Sequence, residues 1–429
     1  MNFAITRIEL VSRIVAVLLA ILCFYANFSL NSGTLIFYGC LAVCAILLVR
    51  TTKHKYLFLT CIFISSYVLL LYPYFVNNMR IGTFSDLNVS SLFQRTIYLF
   101  SVFLCSLLFF LKELPEVPVA HRIPVQDNNL IFYLNLLVMI GIVVFGASGQ
   151  TVMEAGYGQN KGSFSLAYIY FPFFFLASYL YSGRKKGRLI WILLVALAFI
   201  ARSLSFGGRM GTISILLVVY LLFFDARISF TTLLVLAIVG FAFFSFWGQF
   251  RSNPSLANLS LAEMFDFSIK HKDKYTAMGN NQTDVFYASV RIVTMVDVGM
   301  IDAAKRIQSL GLFFLSVVVP YSKLPPLANL SSYRLDTYNS LGGGLIFAYF
   351  YTYLSYFGIV LVARYITFLW DLMRTSKRKY VLAYVILVYA TINTWLAYHP
   401  ITMIKLCVWG VVYIYVLDIV GGWLVKKNA

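Results

Sequence analysis

Two arginines and three glycines crowd into the segment Ala201-Arg202-Ser203-Leu204-Ser205-Phe206-Gly207-Gly208-Arg209-Met210-Gly211. Guanidinium forks match phosphate oxygens, and glycine lets backbone and ligand come close. Arg202 and Arg209 are therefore candidates to hold a phosphate-bearing anion; the plain alternative is a pair of snorkelling arginines in a tight hairpin. Arg251, Arg291 and Arg334 have the same capacity and stand in a long polar stretch. Arg291 lies among apolar neighbours, and Arg334 follows Tyr333 shortly before Gly342-Gly343-Gly344. Glycines at a helix start leave backbone amides open to an anion, or they simply loosen the lead into the helix. His399, in Trp395-Leu396-Ala397-Tyr398-His399-Pro400, has the side chain for general-base work near neutral pH, and equally for a helix end. Asp336 is either a second base or the ion-pair partner of Arg334.

The elements that must position these residues are membrane helices. Hydrophobic residues make up 61% of the 429, charged residues only 12%, and the mean hydropathy is +0.82. A soluble domain carries about a quarter charged residues, so the chain is an all-α polytopic integral membrane protein. The net charge of +18 sits largely in short basic clusters between apolar runs, which argues for membrane topology and against nucleic-acid binding. The six cysteines fall inside apolar runs without a CxxC pair, and the four histidines show no ligand spacing. Neither a metal site nor a cofactor is indicated.

Apolar runs of near twenty residues recur about twelve times, beginning with a retained first span at Ile14–Phe28. Basic clusters at 50–55, 112–122, 184–188, 374–379 and 426–427 alternate with longer, less basic loops. This predicts that both termini are cytoplasmic. The expected organisation is transmembrane helices 1–9 over residues 1–247, a periplasmic loop over 248–344, and transmembrane helices 10–12 over 345–429. A loop of about ninety residues is far beyond what a turn needs. Within it, apolar residues at helical spacing from Asp284 to Ile307 predict one amphipathic helix. Leu312–Val319 is apolar but too short to span, and is expected at the interface or packed on the bundle. The loop and the outer arginines together suit an anionic, lipid-linked ligand.

The outer Ser-x-Ser-x-Gly-Gly-Arg-x-Gly, the single large late loop, and Asn339-Ser340-Leu341-Gly342-Gly343-Gly344 leading to Tyr356-Phe357-Gly358 resemble bacterial oligosaccharide repeat-unit polymerases, the Wzy-type O-antigen polymerases. The resemblance implies a glycosyltransferase C-like bundle in the bacterial inner membrane. It implies a metal-independent enzyme that joins undecaprenyl-diphosphate-linked oligosaccharides at the periplasmic face. It also implies a chain-length regulator in the same membrane as a partner. Arg209, Arg291 and Arg334 would match the family's substrate-associated outer arginines by position. Two other classes stay open: a lipid-linked oligosaccharide flippase, which needs no ninety-residue outer loop and usually shows two related halves, and a membrane acyltransferase, for which His399 is the one outer histidine singled out.

Overall fold

In lipid an apolar run can satisfy its own backbone only by forming a helix, and these runs do so. The computed structural model describes residues 6–77, 90–115, 118–151, 163–252, 281–338 and 343–427. In chain order the helices longer than one turn are α1 (Arg7–Phe28), α2 (Gly33–Thr51), α3 (Lys55–Leu69), α4 (Ser90–Phe110), α5 (Asn129–Phe145), α6 (Phe171–Leu180), α7 (Lys186–Ser205), α8 (Arg209–Val219), α9 (Phe230–Ser252), α10 (Asn281–Asp297), α11 (Ala303–Leu315), α12 (Leu330–Tyr338), α13 (Ile346–Thr375), α14 (Lys379–Ala390) and α15 (Lys405–Lys427). Among the described residues seven stretches are long and apolar enough to cross a membrane: α1, α2, α3 with the turn that follows it to Phe75, α4, α7, α13, and Pro400–Trp423. Five apolar helices are shorter: α5, α6, α8 with its π-helical extension to Phe224, α9 as far as Phe244, and α14. The protein is all-α and of membrane type. The helical expectation misses one two-residue antiparallel pairing, Ala147–Ser148 with Ser163–Phe164.

Some of the expected runs are interrupted. Pro73 and Pro172 each stand in the first turn of a new helix, where a missing N–H costs nothing but a continuing helix would clash. The run that ends at Phe75 therefore breaks after Leu69, and the run that starts at Phe164 only becomes a longer helix at Phe171.

The chain folds into two compact units that are interleaved in sequence. The first comprises Met1–Glu116, Ile269–Asp371 and Thr394–Ile401. In it α4 packs on both α1 and α2. Gly39 of α2 presses on α1, since a Cβ there would lie 2.7 Å from Cys23 Sγ. Phe93 of α4 meets Phe286 and Tyr287 of α10 at 6.2 and 6.1 Å between centroids, and Phe100 stacks on Phe347 of α13 at 5.0 Å. The second unit comprises Val117–Ser268, Leu372–Asn393 and Thr402–Ala429. There α5 packs on α6 and α7, α8 on α7 and α14, and α14 on α15. Asp127 accepts from Lys185 and Arg188 at 2.6 and 2.8 Å, and these cations hold its carboxyl below the usual range. Asp418 accepts from Lys379 and from the Tyr181 hydroxyl at 2.5 and 2.7 Å, while the Tyr181 carbonyl accepts from Arg188. The basic clusters around 184–188 and 378–379 thus share one end of this unit.

The long polar stretch differs from its expectation. The single amphipathic helix from Asp284 to Ile307 is two helices, because Gly299 takes a left-handed φ of 76° and Asp302 caps a fresh start by accepting from Lys305 N at 2.8 Å. α10 is not amphipathic in its setting: Val285 to Met295 are buried on every side. Its polar members carry their own partners, as Ser289 and Thr294 each donate to the carbonyl four residues back.

The 30-residue span α13 is broken inside. Leu354 and Ser355 leave helical geometry, Ser355 with a φ of 57°. The carbonyls of Tyr351 and Thr352 lie just ahead of this break. Arg306 of α11 donates to both, at 2.8 Å each.

Candidate functional site

Three of the candidate residues come together in the first unit. Arg291 rises from the middle of α10, Arg334 from α12, and His399 from the turn between the one-turn helix Ile392–Trp395 and Pro400. Arg334 is 1% exposed and Arg291 5%. Charges are seldom buried so completely without a reason, since each must give up its water. Arg334 donates from Nη1 to the Gly343 carbonyl at 3.1 Å. Burial lowers its pKa, the Tyr349 phenol opposes that, and the neighbouring Arg291 charge lowers it further. Arg291 donates to the Tyr287 hydroxyl one turn earlier and lies over that ring at 5.0 Å. Two like charges are therefore held near one another in a dry setting.

His399 is exposed, yet dense protein surrounds it. That surrounding, and then the Arg334 charge, hold its pKa below the ordinary histidine value. Its ring is neutral at neutral pH and available to take a proton.

The turn that carries His399 is fixed from several sides. His399 N and Tyr398 N both donate to Thr394 O at 2.9 Å. The Tyr398 carbonyl accepts from Tyr349 Oη at 2.8 Å and Ser331 Oγ at 3.2 Å, and those two hydroxyls also share a hydrogen bond. Ile346 N donates to Leu396 O at 2.8 Å. Gly343 explains how the chain can lie so close, because a Cβ there would strike Ala397 O and Tyr398 Cα. A Cβ on Gly344 would lie 2.5 Å from Ile292 Cδ1, the neighbour of Arg291. Leu345 N is taken by Ser289 Oγ at 2.8 Å. These two glycines serve close packing of the protein on itself rather than an open amide cradle. Gly342 lies outside the described residues.

Arg202 and Arg209 belong to the second unit. Both are half-buried and both serve backbone carbonyls: Arg202 donates to Ala147 O at 2.8 Å and lies over Phe206, and Arg209 donates to Phe244 O at 3.2 Å. The hairpin between them is tight. Gly207 has a φ of 78°, Ser203 Oγ donates to Gly208 O at 2.6 Å, and a Cβ on Gly208 would meet Phe164 and Ser203 Oγ at 2.8 Å. The structure thus gives these arginines a part in holding a turn. The side chains of Arg251, near the end of α9, and Asp336, in α12, lie outside the described residues.

Sequence reasoning missed a second polar cluster in the first unit. Arg95 of α4 donates to Tyr356 Oη at 2.5 Å and Tyr351 Oη at 3.2 Å, and it faces Asp297 across 3.7 Å. Tyr351 Oη donates to Asp297 at 2.9 Å. This group sits at the break in α13 and shares Tyr351 with Arg306. In the sequence Tyr356 stands out only within the motif Tyr356-Phe357-Gly358, and its pairing with Arg95 leaves no local signal. Among the described residues no group of three or more His, Cys, Asp or Glu side chains could hold a metal ion. The fold and site define a helical membrane protein with a buried cationic centre beside a neutral histidine. No family model, no curated protein and no solved structure matches the chain.

Proposed function

We propose that this protein is a membrane glycosyltransferase that polymerises undecaprenyl-diphosphate-linked oligosaccharide repeat units, as a metal-independent enzyme at the periplasmic face of the bacterial inner membrane. The observation that carries this reading is the buried Arg291–Arg334 pair with His399 beside it. Two guanidiniums kept in a low-dielectric setting attract a compact multivalent anion, and a diphosphate answers that description. In the proposed reaction the acceptor hydroxyl oxygen attacks the anomeric carbon of the growing chain. The bond from that carbon to the diphosphate breaks, and the electron pair leaves with the diphosphate. Arg291 and Arg334 stabilise the departing charge. Neutral His399 takes the hydroxyl proton.

The test uses the purified chain in phospholipid vesicles supplied with lipid-linked oligosaccharides extracted from its source cell. A ladder of oligomers on the lipid is expected. Arg334→Met and His399→Gln each reduce ladder formation by about a hundredfold or more, the scale seen when one charge-stabilising or proton-transferring group is lost. Transbilayer movement of the single repeat unit without any ladder would replace the polymerase reading with a flippase.

A further inference from the structure

Helix α11 (Ala303–Leu315) is built inside out. Its buried residues are Ser309, Phe313 and, just past its end, Ser316, with Arg306, Leu310 and Leu312 half-buried. Past Lys305, those it turns outward are apolar except Gln308 and Gly311: Ile307 is 70% exposed, Phe314 55%, and Val318 in the turn that follows 71%. Leu315 is exposed beside them. The inward hydroxyls are satisfied locally, Ser309 Oγ donating to Arg306 O and Ser316 Oγ to Phe313 O. From Ile307 to Val318 the outward face carries no charged residue. A helix in water has the opposite pattern, with its apolar stripe toward the core.

Its location points to what covers that face. Phe313 packs on Phe350 and Tyr353 of α13, at 5.9 and 5.3 Å between centroids, and Arg306 reaches the carbonyls of Tyr351 and Thr352. These residues stand past the first turn of the membrane-length stretch Ile346–Thr375 and just ahead of its break, so α11 packs beside the first part of that stretch. Farther along α13 the outward residues are again apolar, with Phe357 and Leu361 exposed. The exposed face of α11 is thereby continuous in kind with the lipid-facing side of the helix it packs on. Its cations stay at its start, where Lys305 donates to Met300 O and Arg306 turns inward.

We propose that α11 and the turn after it are seated in the acyl-chain region of the bilayer leaflet, with Ile307, Phe314 and Val318 in contact with lipid tails. The helix anchors the segment between α10 and α12, the two helices that carry Arg291 and Arg334, against the membrane. The proposal needs the apolar spans and does not depend on the polymerase reading.

The experiment places a nitroxide at Ile307→Cys, Phe314→Cys and Val318→Cys, one at a time, in the full chain reconstituted into phosphatidylcholine–phosphatidylglycerol vesicles. The six native cysteines are buried, and the unsubstituted chain labelled in parallel sets the background. Relaxation by molecular oxygen, which partitions into lipid, is compared with relaxation by a water-soluble nickel chelate. At all three positions oxygen is expected to dominate by severalfold, and at Lys305→Cys the preference is expected to shift toward nickel. Dominance of nickel at the three apolar positions would overturn the proposal by placing α11 in water. Low access to both reagents would also overturn it, by showing protein cover, and disulfide cross-linking between copies would identify that cover as a second chain.

Discussion

Arg334 is the residue on which most of the site turns. Removing its charge while keeping its bulk tests that directly. Replacing a buried charge by an apolar side chain of similar volume is often neutral or stabilising, so Arg334→Met is expected to fold with its thermal stability kept or raised while ladder formation is lost. Thermal unfolding and product ladders measured on one preparation check both halves. The same variant makes a pH prediction. The Arg334 charge is one cause of the lowered His399 pKa, so its removal is expected to move the acid limb of activity upward, toward the ordinary histidine value of about 6.5. A profile that does not move would separate the two residues. His399 also links pH to stability. Between its lowered folded value and about 6.5 the unfolded chain binds the extra proton, so stability is full above that window and falls as pH drops through it. His399→Gln is expected to flatten that slope in unfolding curves taken from pH 7 downward. At this scale the sequence was informative about side chains whose chemistry is rare in a membrane. His399, Arg291 and Arg334 stood out for that reason. Arg202 and Arg209 each donate to a backbone carbonyl in the second unit, a contact that sequence does not reveal.

Among the elements, α10 shows why the fold was only partly legible. Its apolar spacing predicted a helix and the helix is there. The same stretch carries polar residues: Tyr287, Ser289, Arg291 and Thr294. Each is buried, with a hydroxyl or guanidinium hydrogen-bonded within the helix, which no periodicity can reveal. The close approach at Gly343 is another element-scale constraint. Gly343→Ala is expected to destabilise by about 1–3 kcal/mol and to disturb the His399 turn, as overpacking does. Gly240→Ala in α9, where a Cβ meets nothing within 4 Å, is the control and is expected to be neutral or to stabilise slightly. At the break in α13, Ser355→Gly is expected to relieve backbone strain of order 1–3 kcal/mol, read as a rise in unfolding temperature. The break itself had no sequence mark beyond Gly358 nearby, and the Arg306 donations beside it come from another helix.

For the whole molecule, composition alone identified the class, because no soluble fold has such a scarcity of charge. The basic clusters predict a topology, and in the second unit two of them share an end through Tyr181 and Asp418. A paired reporter test follows. Green fluorescent protein fused after Lys427 is expected to fluoresce, and alkaline phosphatase at the same point to stay inactive, as a cytoplasmic end requires. The reverse result would invert the scheme. The interleaving of the two units was invisible to a left-to-right reading, which parses a chain as spans followed by a loop followed by spans.

That interleaving has a consequence for how the protein is made. The first unit includes Met1–Glu116 but receives Thr394–Ile401 only after residues 117–393 have been made. Residues 117–268, and later 372–393, belong to the other unit and are synthesised in between. Arg334 is therefore translated before the turn bearing His399 exists. The early spans are made long before the histidine arrives, so a nascent chain stalled short of residue 394 would carry Arg291 and Arg334 without the turn that bears His399.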